Sequence, residues 1–179
     1  MSHFVEGRFS RGELLLWVGS HSALLTLPFP LISLSDDPSR YAVVLFSAPA
    51  LLGGLETILL WRRVRWIGWW LPLTLLGLPL AFVLGLFWFW LFAIGIGIGL
   101  AQMPLIWLAG WRWPGLWVLA SGGGWLAGLV AAILVLNATP ALGQHGAAVM
   151  YGLAGAGHAI ATGLYLMIGK KPTPLLVTA

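Results

Sequence analysis

The chain has 179 residues, of which 60% are hydrophobic and only 8% charged, whereas a soluble domain usually carries about a quarter charged residues to cover its surface. The net charge is +4, but the basic residues sit between long apolar runs rather than in one patch, which points to membrane topology and away from nucleic acid. Cysteine is absent, excluding disulfides, thiolate metal sites, thiol nucleophiles and iron–sulfur ligation.

The first apolar run begins at Leu14 and is interrupted by Gly19-Ser20-His21-Ser22, with no small-residue cleavage pattern after it. It therefore reads as a retained span rather than a signal peptide. A crossing takes about 20 apolar residues, and such runs predict spans near 12–34, 41–61, 66–86, 91–109, 116–136 and 147–169. Between the third and fourth, Trp88 and Trp90 suit an interfacial belt. One bent segment through 66–109 would instead put about 44 residues in a single crossing, more than twice the required length. The expected fold is all-α, a six-helix transmembrane bundle forming one domain over 1–179.

Lysine and arginine set the expected orientation. Arg8, Arg11, Arg62, Arg63, Arg65, Arg112, Lys170 and Lys171 fall on one side of such a bundle, and only Arg40 on the other. The positive-inside rule then places both termini in the cytoplasm.

Spans two and three resemble spans four and five. Gly54-Leu55 and Ile58 to Trp61 align loosely with Gly99-Leu100 and Ile106-Trp107, setting Glu56 opposite Gln102. Arg65-Trp66-x-Gly68-x-Trp70 then matches Arg112-Trp113-x-Gly115-x-Trp117. Both units run inward, turn and run outward, so the internal repeat is parallel, about an axis along the membrane normal. Gly155-x-Gly157 in span six echoes Gly95-x-Gly97 and sets Thr162 opposite Gln102. Trp17 in span one matches Trp70 and Trp117, and a polar residue follows each after four positions: His21, Thr74 and Ser121. The pattern extends to three hairpins, one split between the termini, in a pseudo-threefold bundle.

These hairpins, above all Gly99-Leu100-Ala101-Gln102 with Arg112-Trp113-x-Gly115-x-Trp117, resemble an uncharacterised family of small bacterial polytopic membrane proteins. Tyr151-Gly152-x-x-Gly155 looks like that family's last span, so the resemblance covers roughly 50–168. It implies the fold and no activity. Glu56 departs from the glutamine at the equivalent place in the second unit.

Because lipid tails are as apolar as leucine, helices in a bilayer associate through close packing and interhelical hydrogen bonds. Gly95-x-x-x-Gly99, Gly124-x-x-x-Gly128 and Gly155-x-x-x-Ala159-x-x-x-Gly163 supply small-residue faces. Pro28, Pro30, Pro49, Pro72, Pro79 and Pro104 remove backbone donors inside spans and predict kinks. Trp61, Trp66, Trp69, Trp107, Trp111 and Trp113 read as interfacial anchors, and Trp125 as a packing residue.

Titratable groups inside spans are the functional candidates, because inserting a charged one costs a few kcal/mol. Glu56 reads either as a proton or cation handler or as the partner of Arg63, two turns on, or of another loop arginine. His21 and His158 lie at similar depth, about 15 Å from the cytoplasmic boundary. As neighbours they could ligate one haem iron; alternatively His158, with Ala154 a turn before it, could hold a chlorin magnesium. The remaining alternatives are neutral histidines bonded inside the bundle, or a proton relay. Ser121 with His158 invites comparison with intramembrane serine proteases, but Leu119 stands where a glycine is needed and span two offers no oxyanion donor.

The expected function is a non-enzymatic accessory or scaffold subunit of a larger membrane complex, with lipids and other subunits or a second copy as partners. The alternative is a small solute carrier, or its membrane substrate-binding component, with Glu56, Gln102 and Thr162 around a cytoplasmic-side cavity. A tetrapyrrole-binding subunit is the third reading.

Overall fold

Each of the six apolar runs carries a helix. The structure, a computed structural model, describes residues 10–26, 38–61, 66–84, 90–111 and 113–168. Among them the elements are α1 (Arg11–Thr26), α2 (Pro38–Leu60), α3 (Trp70–Leu84), α4 (Trp90–Leu108), α5 (Pro114–Ala138) and α6 (Gly146–Ile168), with short 3-10 turns at Ile67–Trp69 and Pro140–His145 and no strand. Three stretches, Ile67–Leu84, Pro114–Ala138 and Gly146–Ile168, are long and apolar enough to cross a membrane. Pro49–Leu60 and Ala93–Leu108 are shorter apolar segments. Pro28, Pro30, Arg62, Arg63, Arg65, Trp88, Arg112 and both chain ends lie outside the described residues.

Local chemistry sets the helix ends. Ser10 and Glu13 form a capping box at the start of α1: Glu13 N–H donates to Ser10 Oγ at 3.2 Å, and Ser10 N–H to Glu13 Oε2 at 2.7 Å. Gly110 (φ 74°) ends α4 in a Schellman turn, its N–H donating to the Trp107 carbonyl and that of Trp111 to Ile106. That turn swings Trp111 inward, where it is buried and stacks on Tyr165 with ring centroids 5.6 Å apart. It is a core residue and not the interfacial anchor its position implied. Trp61, Trp66, Trp69, Trp107 and Trp113 are exposed. Trp66 and Trp113 both take left-handed backbone (φ 67° and 55°) at the start of a helical stretch. Such a conformation costs a residue with a side chain about 1–3 kcal/mol, yet the same cost recurs at the two positions that the sequence aligns.

Each helix packs on the next in chain order, and α6 packs back on α1, closing a ring. Glycines allow the seams. A Cβ on Gly128 would strike the Leu153 carbonyl, and one on Gly157 the Gly124 carbonyl, at α5–α6. At α3–α4 a Cβ on Gly77 would come within 2.6 Å of Ile98 Cα. The small-residue faces are thus consumed within the chain.

The ring's interior is layered. One apolar cluster contains Trp17, Leu60, Trp70, Ile106, Trp117 and Leu166; a second contains Leu25, Leu52, Ala81, Ile98, Trp125 and Leu129. Polar residues separate them one helical turn from each: Trp17–His21–Leu25, Leu52–Glu56–Leu60, Ile98–Gln102–Ile106 and Trp117–Ser121–Trp125. In a helix, i and i±4 share a face, so the six helices present one polar level between two greasy ones.

Candidate functional site

The polar level comprises His21, Glu56, Thr74, Gln102, Ser121, His158 and Thr162, every one of them 0% exposed. Three tryptophans organise it by one recurring bond, an indole N–H donated to the polar side chain of a neighbouring helix. Trp70 Nε1 donates to Glu56 Oε2 at 2.7 Å, Trp117 Nε1 to Gln102 Oε1 at 3.1 Å, and Trp17 Nε1 to Thr162 Oγ1 at 3.2 Å. The shortest goes to the carboxylate, as a charge-assisted bond should. Gln102 Nε2 links two helices, donating to Glu56 Oε2 at 2.9 Å and to Thr74 Oγ1 at 2.8 Å. Thr74 and Thr162 donate their hydroxyl protons to carbonyls a turn back, Trp70 and His158.

Glu56 Oε2 is thereby saturated, while Oε1 faces two imidazoles. His21 Nε2 lies 3.2 Å from Oε1 and His158 Nε2 3.7 Å. The far ring nitrogens fix the tautomers. His21 Nδ1 sits 2.7 Å from the Trp17 carbonyl, which can only accept, so Nδ1 carries a proton. His158 Nδ1 lies 3.2 Å from Ser121 Oγ and 3.3 Å from the Ser121 carbonyl. The serine proton is already directed at the Gly95 carbonyl, 2.5 Å away. His158 Nδ1 therefore faces acceptors and is also the protonated nitrogen. Both Nε2 atoms point at the same carboxylate oxygen. Among the described residues, His158 Nε2 has no hydrogen-bond partner.

The sequence candidates thus meet in one network. The described partners of Glu56 are His21, His158, Trp70 and Gln102, and Arg63 lies outside the described residues. Gln102 and Thr162 are buried and hydrogen-bonded by tryptophan, so they do not line an open cytoplasmic-side cavity. His21 and His158 do lie together, ring centroids 6.0 Å apart and planes 28° from parallel. The Glu56 carboxylate stands beside both Nε2 atoms, where a macrocycle would have to pass. Ala154 is fully buried, and a Cβ on Gly155 would strike Leu25, so the glycine face near His158 is covered by α1. These residues do not fit a haem or chlorin. Ser121, His158 and Glu56 follow one another as in a hydrolytic triad, but the serine proton bonds a helix carbonyl and every member is sealed from solvent, which gives an acyl substrate no access.

Ser121 and Thr74 escaped selection as site residues, although their spacing of four from Trp117 and Trp70 had marked them. No family model matches the chain, and no curated protein or solved structure matches it.

Proposed function

We propose that the chain is a six-span integral membrane protein, built of three parallel hairpins with one split between the termini, that carries a small cation, a proton or a metal ion, through the Glu56 centre. One observation carries this reading: a fully buried carboxylate oxygen facing two imidazole nitrogens, one of which, His158 Nε2, has no hydrogen-bond partner among the described residues. Burying a charge costs several kcal/mol, and an apolar core is often as stable or more so. Structure alone therefore does not require these groups, and an ionisable residue at membrane depth marks an ion or proton path. The scaffold reading rests on small-residue faces and abundant tryptophan; the glycine faces are used by the chain's own helices, while Trp61, Trp66, Trp69, Trp107 and Trp113 stay exposed. The recurring tryptophan bond and the left-handed Trp66 and Trp113 support the repeat.

Two results test it. With the termini cytoplasmic, single cysteines at Ser2 and Ala179 should resist impermeant maleimides in intact cells while one at Gly143 reacts. Labelling of both termini from outside would reverse the orientation. In proteoliposomes carrying an entrapped dye for protons or for divalent metals, the native chain should dissipate an imposed gradient. Glu56→Gln should fall to the rate of protein-free vesicles. Equal flux through the two, with the variant folded, would end the carrier proposal.

A further inference from the structure

We propose that His21 Nε2, Glu56 Oε1 and His158 Nε2 are the three protein ligands of a single divalent first-row transition-metal ion at the centre of the helix ring. This site deepens the carrier reading by naming the cation, and rests on that reading's premise that the Glu56 centre holds one.

Geometry favours a metal ion over a single proton. One proton joins His21 to Glu56 across 3.2 Å and leaves His158 Nε2, 3.7 Å from the same oxygen, without a hydrogen-bond partner among the described residues. A second proton, on His158, would give a longer ion pair with Glu56. A metal ion would engage all three atoms at once. The three atoms lie within 4.8 Å of one another. In a tetrahedral site with metal–ligand bonds of about 2.0–2.1 Å, neighbouring ligand atoms stand about 3.4 Å apart. The two distances to Oε1 bracket that value, and a small inward rotation of the imidazoles closes the rest.

The surroundings match what metal ligands need. Each histidine directs its other nitrogen at a backbone carbonyl, Trp17 for one and Ser121 for the other. That arrangement fixes the tautomer and aims Nε2. The carboxylate's other oxygen is held by Trp70 and Gln102, so Oε1 is presented alone. Two imidazoles and one carboxylate favour zinc, iron, cobalt or nickel over magnesium and calcium, which take oxygen ligands. Three protein ligands leave a fourth position for water.

The test uses the full chain in detergent, stripped with chelator and titrated with Co²⁺. The expected result is a visible d–d band saturating at one equivalent and displaced by Zn²⁺, with His145→Ala unchanged. His158→Ala and Glu56→Gln should lose the band while size exclusion and circular dichroism report a folded bundle. Gln102→Leu, which removes one of the two donors to Glu56 Oε2, should weaken binding about 10–100-fold. The proposal is overturned if the folded native chain binds neither Co²⁺ nor Zn²⁺, or if Glu56→Gln keeps the band. Metal binding without vesicle flux would leave this site standing and remove the carrier reading. Chelator-insensitive proton flux without metal binding would do the reverse.

Discussion

Glu56→Ala is expected to destabilise the metal-free bundle by roughly 3–5 kcal/mol, the usual effect of removing one partner from a buried charged network, while Glu56→Gln leaves it about as stable as the native chain. The alanine strands Trp70 Nε1–H and one proton of Gln102 Nε2, both directed at Glu56 Oε2. It also opens a cavity in a fully buried layer. Each stranded donor bears its own desolvation cost of about 1–3 kcal/mol. Glutamine escapes these losses. With its amide oxygen in the Oε2 place it accepts from Trp70 and Gln102; its NH₂ in the Oε1 place donates toward the lone pairs of His21 and His158. The network is then neutral and bonded, and no cation is required. Denaturation of the three chains in one detergent at neutral pH measures this. Equal stability of the alanine and native chains would mean that the carboxylate has no structural partners. A glutamine variant as unstable as alanine would show that charge, rather than hydrogen bonding, holds the layer. Loss of metal or flux in the glutamine variant alone would separate function from folding.

Much of this layer was legible in the sequence because helical periodicity and tryptophan are strong signals. Aligning Gly54-Leu55 with Gly99-Leu100, and Gly95-x-Gly97 with Gly155-x-Gly157, places Glu56, Gln102 and Thr162 in equivalent positions, and each of those residues accepts an indole N–H. Equal depth set His21 beside His158. Depth counting failed for Glu56, four residues from the end of α2, whereas His21 lies ten residues from the start of α1. Helix ends in a bundle need not be level, and a glutamate side chain reaches toward the next turn. Counting from loops therefore does not bring Glu56 to the level of the histidines, and leaves it as a cation handler or as the partner of a loop arginine. Trp111 was misread for a related reason: only the Schellman turn at Gly110 reveals that the chain reverses before it. The order of the helix ring is not written in any single span. It follows from which glycine faces meet, and a glycine stripe specifies close approach without naming its partner.

The three tryptophan bonds form an internal control for the charge state of Glu56. Trp17, Trp70 and Trp117 are all 0% exposed, so exchanging each for phenylalanine removes a similar buried area and one N–H. What differs is the acceptor: a hydroxyl, a carboxylate and an amide. A hydrogen bond to a charged group contributes about 1.5–3 kcal/mol, and one between neutral groups about 0.5–1.5 kcal/mol. Trp70→Phe should therefore be the most destabilising. Trp117→Phe should follow, because Gln102 Oε1 has no other donor among the described residues. Trp17→Phe should cost least, because Thr162 keeps its bond to the His158 carbonyl. Packing differs among the sites, Trp70 meeting Trp117 edge-on at 5.7 Å while Trp17 lies 4.4 Å from the His21 ring, and a double-mutant cycle removes that difference. In a Glu56→Gln background the cost of Trp70→Phe should fall into the neutral range, while the cost of Trp17→Phe, which does not touch position 56, should stay as it was. Unfolding of the two cycles in metal-free detergent reads the coupling directly. If Trp70→Phe costs the same with glutamate and with glutamine at position 56, the carboxyl group is protonated in the resting bundle, and the ionised centre on which cation binding depends is absent.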